Sequence, residues 1–125
     1  MLLDTSAWIE FFQGTERGKK VSEILQHEEN FTSIITLAEL VNWCFRNNQK
    51  YNIKLFIEGI KKGSTIVDIN ETIAISAGRL NYERKISVGS WGMADSLIFT
   101  TAAVYGLTVL TKDNQFRGLP HVEMI

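Results

Sequence analysis

Five short apolar stretches, at residues 1–3, 31–33, 65–69, 108–110 and 122–125, are separated by longer segments whose apolar residues recur at helical spacing. The first four, each divided from the next by one or more helices, cannot pair through tight hairpins. They must be joined by crossovers and lie parallel, with helices on both faces of the sheet. The expected class is therefore α/β, with a central, mostly parallel sheet of four to five short strands.

Helices are predicted at 5–13, at about 17–28, at 36–48, around Ile53, Phe56, Ile57 and Ile60, at 70–85 and at 93–105. In the third, Leu37, Leu40, Val41, Cys44 and Phe45 fall at i, i+3, i+4, i+7 and i+8, the spacing of one apolar face. Gly106 is placed to end the last. The first helix carries Trp8, Ile9, Phe11 and Phe12, more large apolar groups than one buried face accommodates, and a subunit or partner interface is expected from some of them.

One proline, Pro120, and no linker, repeat or low-complexity stretch interrupt the 125 residues, so a single domain over 1–125 is expected. Apolar residues make up 45% and charged residues 22%, and no apolar run approaches the ~18 residues of a membrane span. Met1-Leu2-Leu3 enters Asp4 without a basic flank or cleavage signal, so a soluble, cytoplasmic protein with no membrane contact is expected. Cys44 is the only cysteine, which excludes an internal disulfide and a cysteine-rich zinc site and suggests core packing. A net charge of −1 gives no bulk basicity, so contact with nucleic acid would rest on local Lys and Arg clusters.

Four acids, Asp4, Glu39, Asp95 and Asp113, stand where the chain is predicted to pass from strand to helix or from strand to loop. Each has an ordinary reading. Asp4 caps the first helix, Thr36-Leu37-Ala38-Glu39 fits a capping box, Asp95 complements a helix N-terminus and Asp113-Asn114 forms a turn. Taken singly, Glu39 and Asp95 stay undecided between structure and site, and Asp113 reads better as a turn residue.

Jointly they say more, because parallel strands deliver their exits to one crevice. Four carboxylates about 5 Å apart would repel by roughly 3 kcal/mol per pair at an effective dielectric of 20, well above any dipole gain. A cation or raised pKa values must offset that. An all-carboxylate set suits Mg²⁺ or Mn²⁺ rather than zinc. His27 and His121 lack metal-ligand spacing and are expected at the surface.

The openings Leu3-Asp4-Thr5-Ser6-Ala7, Thr36-Leu37-Ala38-Glu39-Leu40 and Ala94-Asp95-Ser96-Leu97-Ile98, with the closing Leu110-Thr111-Lys112-Asp113, occur in an order that resembles the PIN-domain nucleases. In size the chain resembles the toxin subunit of VapBC toxin–antitoxin pairs. The resemblance implies a three-layer α/β/α PIN-like fold, with Asp4, Glu39 and Asp95 as metal ligands and Asp113 as a fourth acid. Thr5, Ser6 and Thr111 would supply supporting hydroxyls. It further implies a homodimer and a small antitoxin whose segment lies over the active groove. Gln115 departs from the family, which often has an acid there, and puts a second metal in doubt.

The chemistry expected is hydrolysis of RNA phosphodiester bonds by a Mg²⁺- or Mn²⁺-bound hydroxide, with no covalent intermediate. Neither histidine is placed to activate Ser6, and Cys44 lies on a core face. Candidate phosphate contacts are Arg17, Lys19 and Lys20, the segment Arg46 to Lys50, Lys61 and Lys62, Arg84 and Lys85, and Lys112 with Arg117. Most of these would serve simply as solvated helix faces. Trp91 is a candidate stacking partner for an unpaired base, although a tryptophan just ahead of a helix more often packs.

Two rival readings remain: a noncatalytic RNA- or protein-binding module of the same fold, and a structure-specific DNA nuclease. Haloacid dehalogenase-like phosphatases fit poorly, since Ser6 stands where they place a second Asp, and the adjacent acidic pair of receiver domains is missing.

Overall fold

The computed structural model describes residues 1–125. Leu2 and Leu3 form β1 (Leu2–Leu3), a strand of only two residues that is bonded on both sides. Asp4 N–H donates to Leu110 O at 2.9 Å, and Phe31 N–H donates to Met1 O at 2.9 Å. Four further strands, β2 (Phe31–Ser33), β3 (Thr65–Val67), β4 (Val109–Thr111) and β5 (Val122–Met124), complete a sheet in the order β3-β2-β1-β4-β5 with every pair parallel.

The chain therefore starts at the centre, winds outward to β3 and returns across the sheet to β4. That reversal is the switch point at which open α/β sheets form a crevice beyond their strand ends.

Six helices cover the sheet: α1 (Thr5–Gln13), α2 (Glu16–His27), α3 (Ile34–Arg46), α4 (Ile53–Gly63), α5 (Glu71–Ser87) and α6 (Met93–Tyr105). Alternate side chains of a strand face opposite ways. Leu3 and Leu110 accordingly join Trp8, Val21, Leu40 and Ile60 in one core, whereas Leu2 and Val109 join Trp91, Ile98 and Phe116 in the other. The result is the three-layer arrangement expected from the sequence, with α1–α4 contributing to one layer and α6 to the other.

Three expectations need correction. The third helix begins at Ile34, because Ser33 caps it by accepting from Ile35 N–H at 3.3 Å. Thr36 and Glu39 thus lie inside the helix and form no capping box. Phe45, placed on its apolar face by spacing, is exposed, since the buried stripe narrows to Leu40 and Cys44 at the helix end. The fourth strand runs one residue later than predicted, which brings Thr111 into register with Met124.

The crowded first helix turns its rings toward the core and leaves Ile9, Phe11 and Phe12 partly exposed. Trp8 is fully enclosed, Phe12 stacks between it and Phe56 at centroid distances of 5.7 and 4.3 Å, and Ile9 and Phe11 pack against the same core.

The close approach of α2 to α1 rests on Gly18, where a Cβ would lie 2.2 Å from Glu10 O. Gly78, inside α5, has open space around the same position. Gly18→Ala is expected to destabilise the fold by about 1–3 kcal/mol or more through overpacking. Gly78→Ala should stabilise it by about 0.5–1 kcal/mol through helix propensity. Denaturant melts of the two variants check this pair of opposite signs.

Candidate functional site

Asp4 leaves β1 as the N-cap residue of α1, yet its side chain makes no capping bond. It turns instead toward the exit of β4. Ser6 Oγ donates to Asp4 Oδ2 at 2.7 Å and Thr111 Oγ1 donates to the same oxygen at 2.8 Å. Each hydroxyl has a single proton, so both are committed to Asp4, and each hydroxyl oxygen in turn accepts a backbone N–H. Lys112 N–H reaches Ser6 Oγ at 3.0 Å and Asp113 N–H reaches Thr111 Oγ1 at 2.9 Å. The ends of two neighbouring strands are thereby tied around one carboxylate that is only 4% exposed.

The other three acids arrive from separate elements. Glu39 sits in the second turn of α3, and Thr5 Oγ1 donates to its Oε1 at 2.6 Å. Asp95 sits in the first turn of α6, where its Oδ2 accepts from Gly92 N–H at 3.1 Å. It follows the long helix α5 and a loop rather than a strand, contrary to the sequence expectation. Asp113 lies beyond β4, and its Oδ1 accepts from Gln115 N–H at 2.9 Å in the turn predicted for it.

All four acids line one pocket of about 210 Å³. Its remaining wall includes Ile9 and a strip of α3, Asn42, Trp43 and Arg46, that shares a helix face with Glu39. Sequence reasoning missed Asn42 and Trp43 as site residues and grouped Arg46 only with the general basic residues. Their i+3, i+4 and i+7 spacing from Glu39 was the available signal.

Electrostatics bear the mark of this crowding. Burial raises the Asp4 carboxyl above its ordinary value, opposed by the Ser6 and Thr111 hydroxyls and by the Thr5 backbone, with the Asp113 charge adding to the rise. Glu39 is raised by burial, against the Thr5 bond, and then by the charges of Asp4, Asp95 and Asp113. Asp95 is pushed up to about 6 by burial, against the Gly92 bond, and by Asp4 and Asp113.

The donor chemistry fits a hard divalent cation: four carboxylates and no sulfur or imidazole. The carboxylates stand around the pocket without three of them converging on a common ligating point. To hold an ion the side chains would rotate inward, and the charge of the ion would offset their mutual repulsion.

Three residues named from the sequence as nucleic-acid contacts have other partners. Trp91 cannot stack on a base, because it is fully buried, donates to Ser96 Oγ at 2.6 Å and packs edge-on against Phe116. Lys112 pairs with the buried Glu10 at 2.5 Å, which fixes the loop carrying Asp113 to α1. Arg117 is exposed, bonded to Asn114 Oδ1 at 2.7 Å, and lies outside the acidic pocket.

Arg84 likewise is occupied, donating to the carbonyls of Gln115 and Arg117 at 2.5 and 3.3 Å beneath the Asp113 turn. One donor, Arg84 Nε, and one acceptor, Gln115 Oε1, are buried there without partners.

The sequence profile of the PIN domain matches residues 1–122. Among solved structures, a toxin–antitoxin complex from Klebsiella pneumoniae aligns at TM-score 0.74 and 24% identity, covering 98% of this chain and 95% of that one. VapBC2 from Rickettsia felis, bound to a DNA fragment of its promoter, aligns at TM-score 0.76 and 18% identity over 99% and 96% of the two chains. VapC20 from Mycobacterium tuberculosis, a toxin that cleaves the sarcin-ricin loop, aligns at TM-score 0.77 and 15% identity over 98% and 97%. No curated protein matches by sequence.

The raised Asp95 pKa has a definite sign in stability. The folded chain holds this proton more tightly than the unfolded chain does, so the contribution is complete below about pH 4 and is lost as the pH rises through about 6. Asp95→Asn removes that loss and keeps the bond to Gly92. In chelator, the variant is expected to melt above the parent at pH 7.5, by about 1 kcal/mol once solvent screening of this part-exposed carboxyl is allowed for, and to show a flatter profile between pH 5 and 7.5. Thermal melts across that range check it.

Proposed function

The chain belongs to the PIN-domain family, and from that premise we propose that it is a Mg²⁺- or Mn²⁺-dependent endoribonuclease, the toxin of a two-component toxin–antitoxin pair. The observation that carries this reading is the gathering of Asp4, Glu39, Asp95 and Asp113 from four parts of the chain around one pocket, at a cost in mutual repulsion. Helix capping alone gives no reason to incur that cost.

In this reading Asp4, Glu39 and Asp95 hold the ion. When bound, it would lower the pKa of a water and neutralise charge growing on the phosphodiester. The chain's own part is positioning. Ser6 and Thr111 fix Asp4 by binding one oxygen, Thr5 orients Glu39, and the Gln115 N–H holds one oxygen of Asp113 and leaves the other to take a proton from the attacking water. Arg46, the cation among the pocket-lining residues, is placed to receive the substrate phosphate. Lys112 is paired with Glu10 beside the pocket, so its charge is spent on holding the loop that carries Asp113.

RNA is favoured over DNA as substrate because the Mycobacterium protein of like fold is named for cleaving an RNA loop. The toxin–antitoxin context of the structural neighbours supports a small antitoxin as partner, and a homodimer belongs to the same reading. No helix is long and apolar enough to cross a membrane.

One observation favours the rival noncatalytic module: Asp95 and Asp113 both perform local capping. Calorimetric titration with Mn²⁺ separates the two readings. A nuclease site takes up metal and loses that uptake in Asp4→Asn; capping acids alone take up none.

Asp4→Asn and Asp95→Asn are each expected to reduce RNA cleavage by a hundredfold or more, about 2.7 kcal/mol or above in transition-state stabilisation, with the fold intact. Parent-level cleavage in both variants would remove the site. Thr111→Val, which deletes one of the two protons held on Asp4, is expected to weaken Mn²⁺ binding by about 10–100-fold, the usual effect of losing a group that orients a ligand. The titration used for Asp4→Asn measures it.

A further inference from the structure

Beyond Asp113 the acidic pocket adjoins a second and larger cavity, about 500 Å³ against 210 Å³, and the two share Ser6, Ile9, Trp43 and Asp113 as a common wall. The chemistry changes across that wall. The second cavity has Lys112, Asn114 and Gln115 where the first has Glu39 and Asp95. It is amide-lined with one apolar side, the ring of Trp43 beside Ile9.

Trp43 also differs from the other tryptophans. Trp8 and Trp91 are 0% exposed, whereas Trp43 packs against the core and remains partly open toward both cavities.

We propose that this second cavity is a nucleobase subsite, in which an unpaired base next to the scissile phosphate stacks on Trp43 and presents its edge to the exposed amide of Asn114. The inference rests on the ribonuclease reading and names the part of the substrate that reading leaves open. A flat ring bordered by an amide suits a base, because every base has a π-face and an edge of mixed donors and acceptors. A partner helix would require a broad apolar groove, and only two of the seven residues lining this cavity are hydrophobic.

Because the acidic pocket shares the wall, a strand whose phosphate lies at the carboxylates has an adjacent base at Trp43. The position is single-stranded by necessity, since a paired base has no free face to offer.

The test uses the intact protein with Ca²⁺ in place of Mg²⁺ and short labelled single-stranded RNA, followed by anisotropy and by intrinsic tryptophan fluorescence. Binding is expected to quench the fluorescence of the parent but not of Trp43→Phe. Trp43→Ala should weaken binding roughly five- to a hundredfold, the range one stacked base supplies, and Trp43→Phe should recover most of it. An abasic nucleotide at one position beside the cleaved bond should weaken the parent to the same degree and cost Trp43→Ala nothing further. The abasic substrate decides the matter even if Trp43→Ala fails to fold.

Quenching that persists in Trp43→Phe, equal binding of abasic and intact strands, or protection of Trp43 by a partner protein but not by RNA would each overturn the proposal. Mn²⁺ titration of the same samples keeps the two claims apart. Metal uptake without base dependence sinks the subsite alone, and absent metal uptake sinks the nuclease reading.

Discussion

Two hydroxyl protons, from Ser6 and Thr111, end on one oxygen of Asp4, and the geometry of the whole acidic pocket follows from where that oxygen is held. An ionised carboxylate taken out of water must have its charge compensated, and charge-assisted hydrogen bonds are the strong form of compensation. Here the donors come from the start of α1 and the end of β4, so the bonds that make Asp4 tolerable also fix two chain exits against each other. Asp113 then follows in position, since its own N–H is spent on Thr111.

A second constraint acts from beneath. Glu10 is buried and accepts from Thr15 while paired with Lys112; burial raises its carboxyl, but the bonds and charges of these neighbours and of Arg17 outweigh that and leave it below the ordinary value. Arg84 closes the other side by donating to two carbonyls of the turn after Asp113, with its guanidinium 4.9 Å from the centre of the Trp91 ring. Charges that a surface map would assign to nucleic acid are thus engaged in shaping the loop. The repulsion within the acidic pocket is sustained by this frame and falls on Glu39 and Asp95, which the surrounding packing raises in pKa.

Much of this was legible in the residues themselves. The alternation of short apolar stretches and helical spacing predicts the parallel sheet, and Leu2, Leu3, Val109 and Leu110 are buried as central strands demand. The four acids could be named because each follows a recognisable local opening. Trp43 is passed over despite its i+4 spacing from Glu39, because it shares α3 with a strong apolar stripe and periodicity assigns such rings to cores. Trp91 takes the more frequent of the two readings open to it: despite its nearness to Asp95 in sequence, its indole turns inward to Ser96 and packs. The capping box at Thr36 failed because Ser33, three residues earlier, already caps the helix, a competition that sequence spacing leaves unresolved.

The winding order of the sheet has a consequence for synthesis. Its first strand is central, and the neighbour that completes the Asp4 environment, Thr111, follows 107 residues later. A chain emerging from the ribosome therefore carries its first acid without the Thr111 bond until β4 has followed. The topology itself thus delays the Asp4 environment until one long-range strand pairing, β1 with β4, has formed.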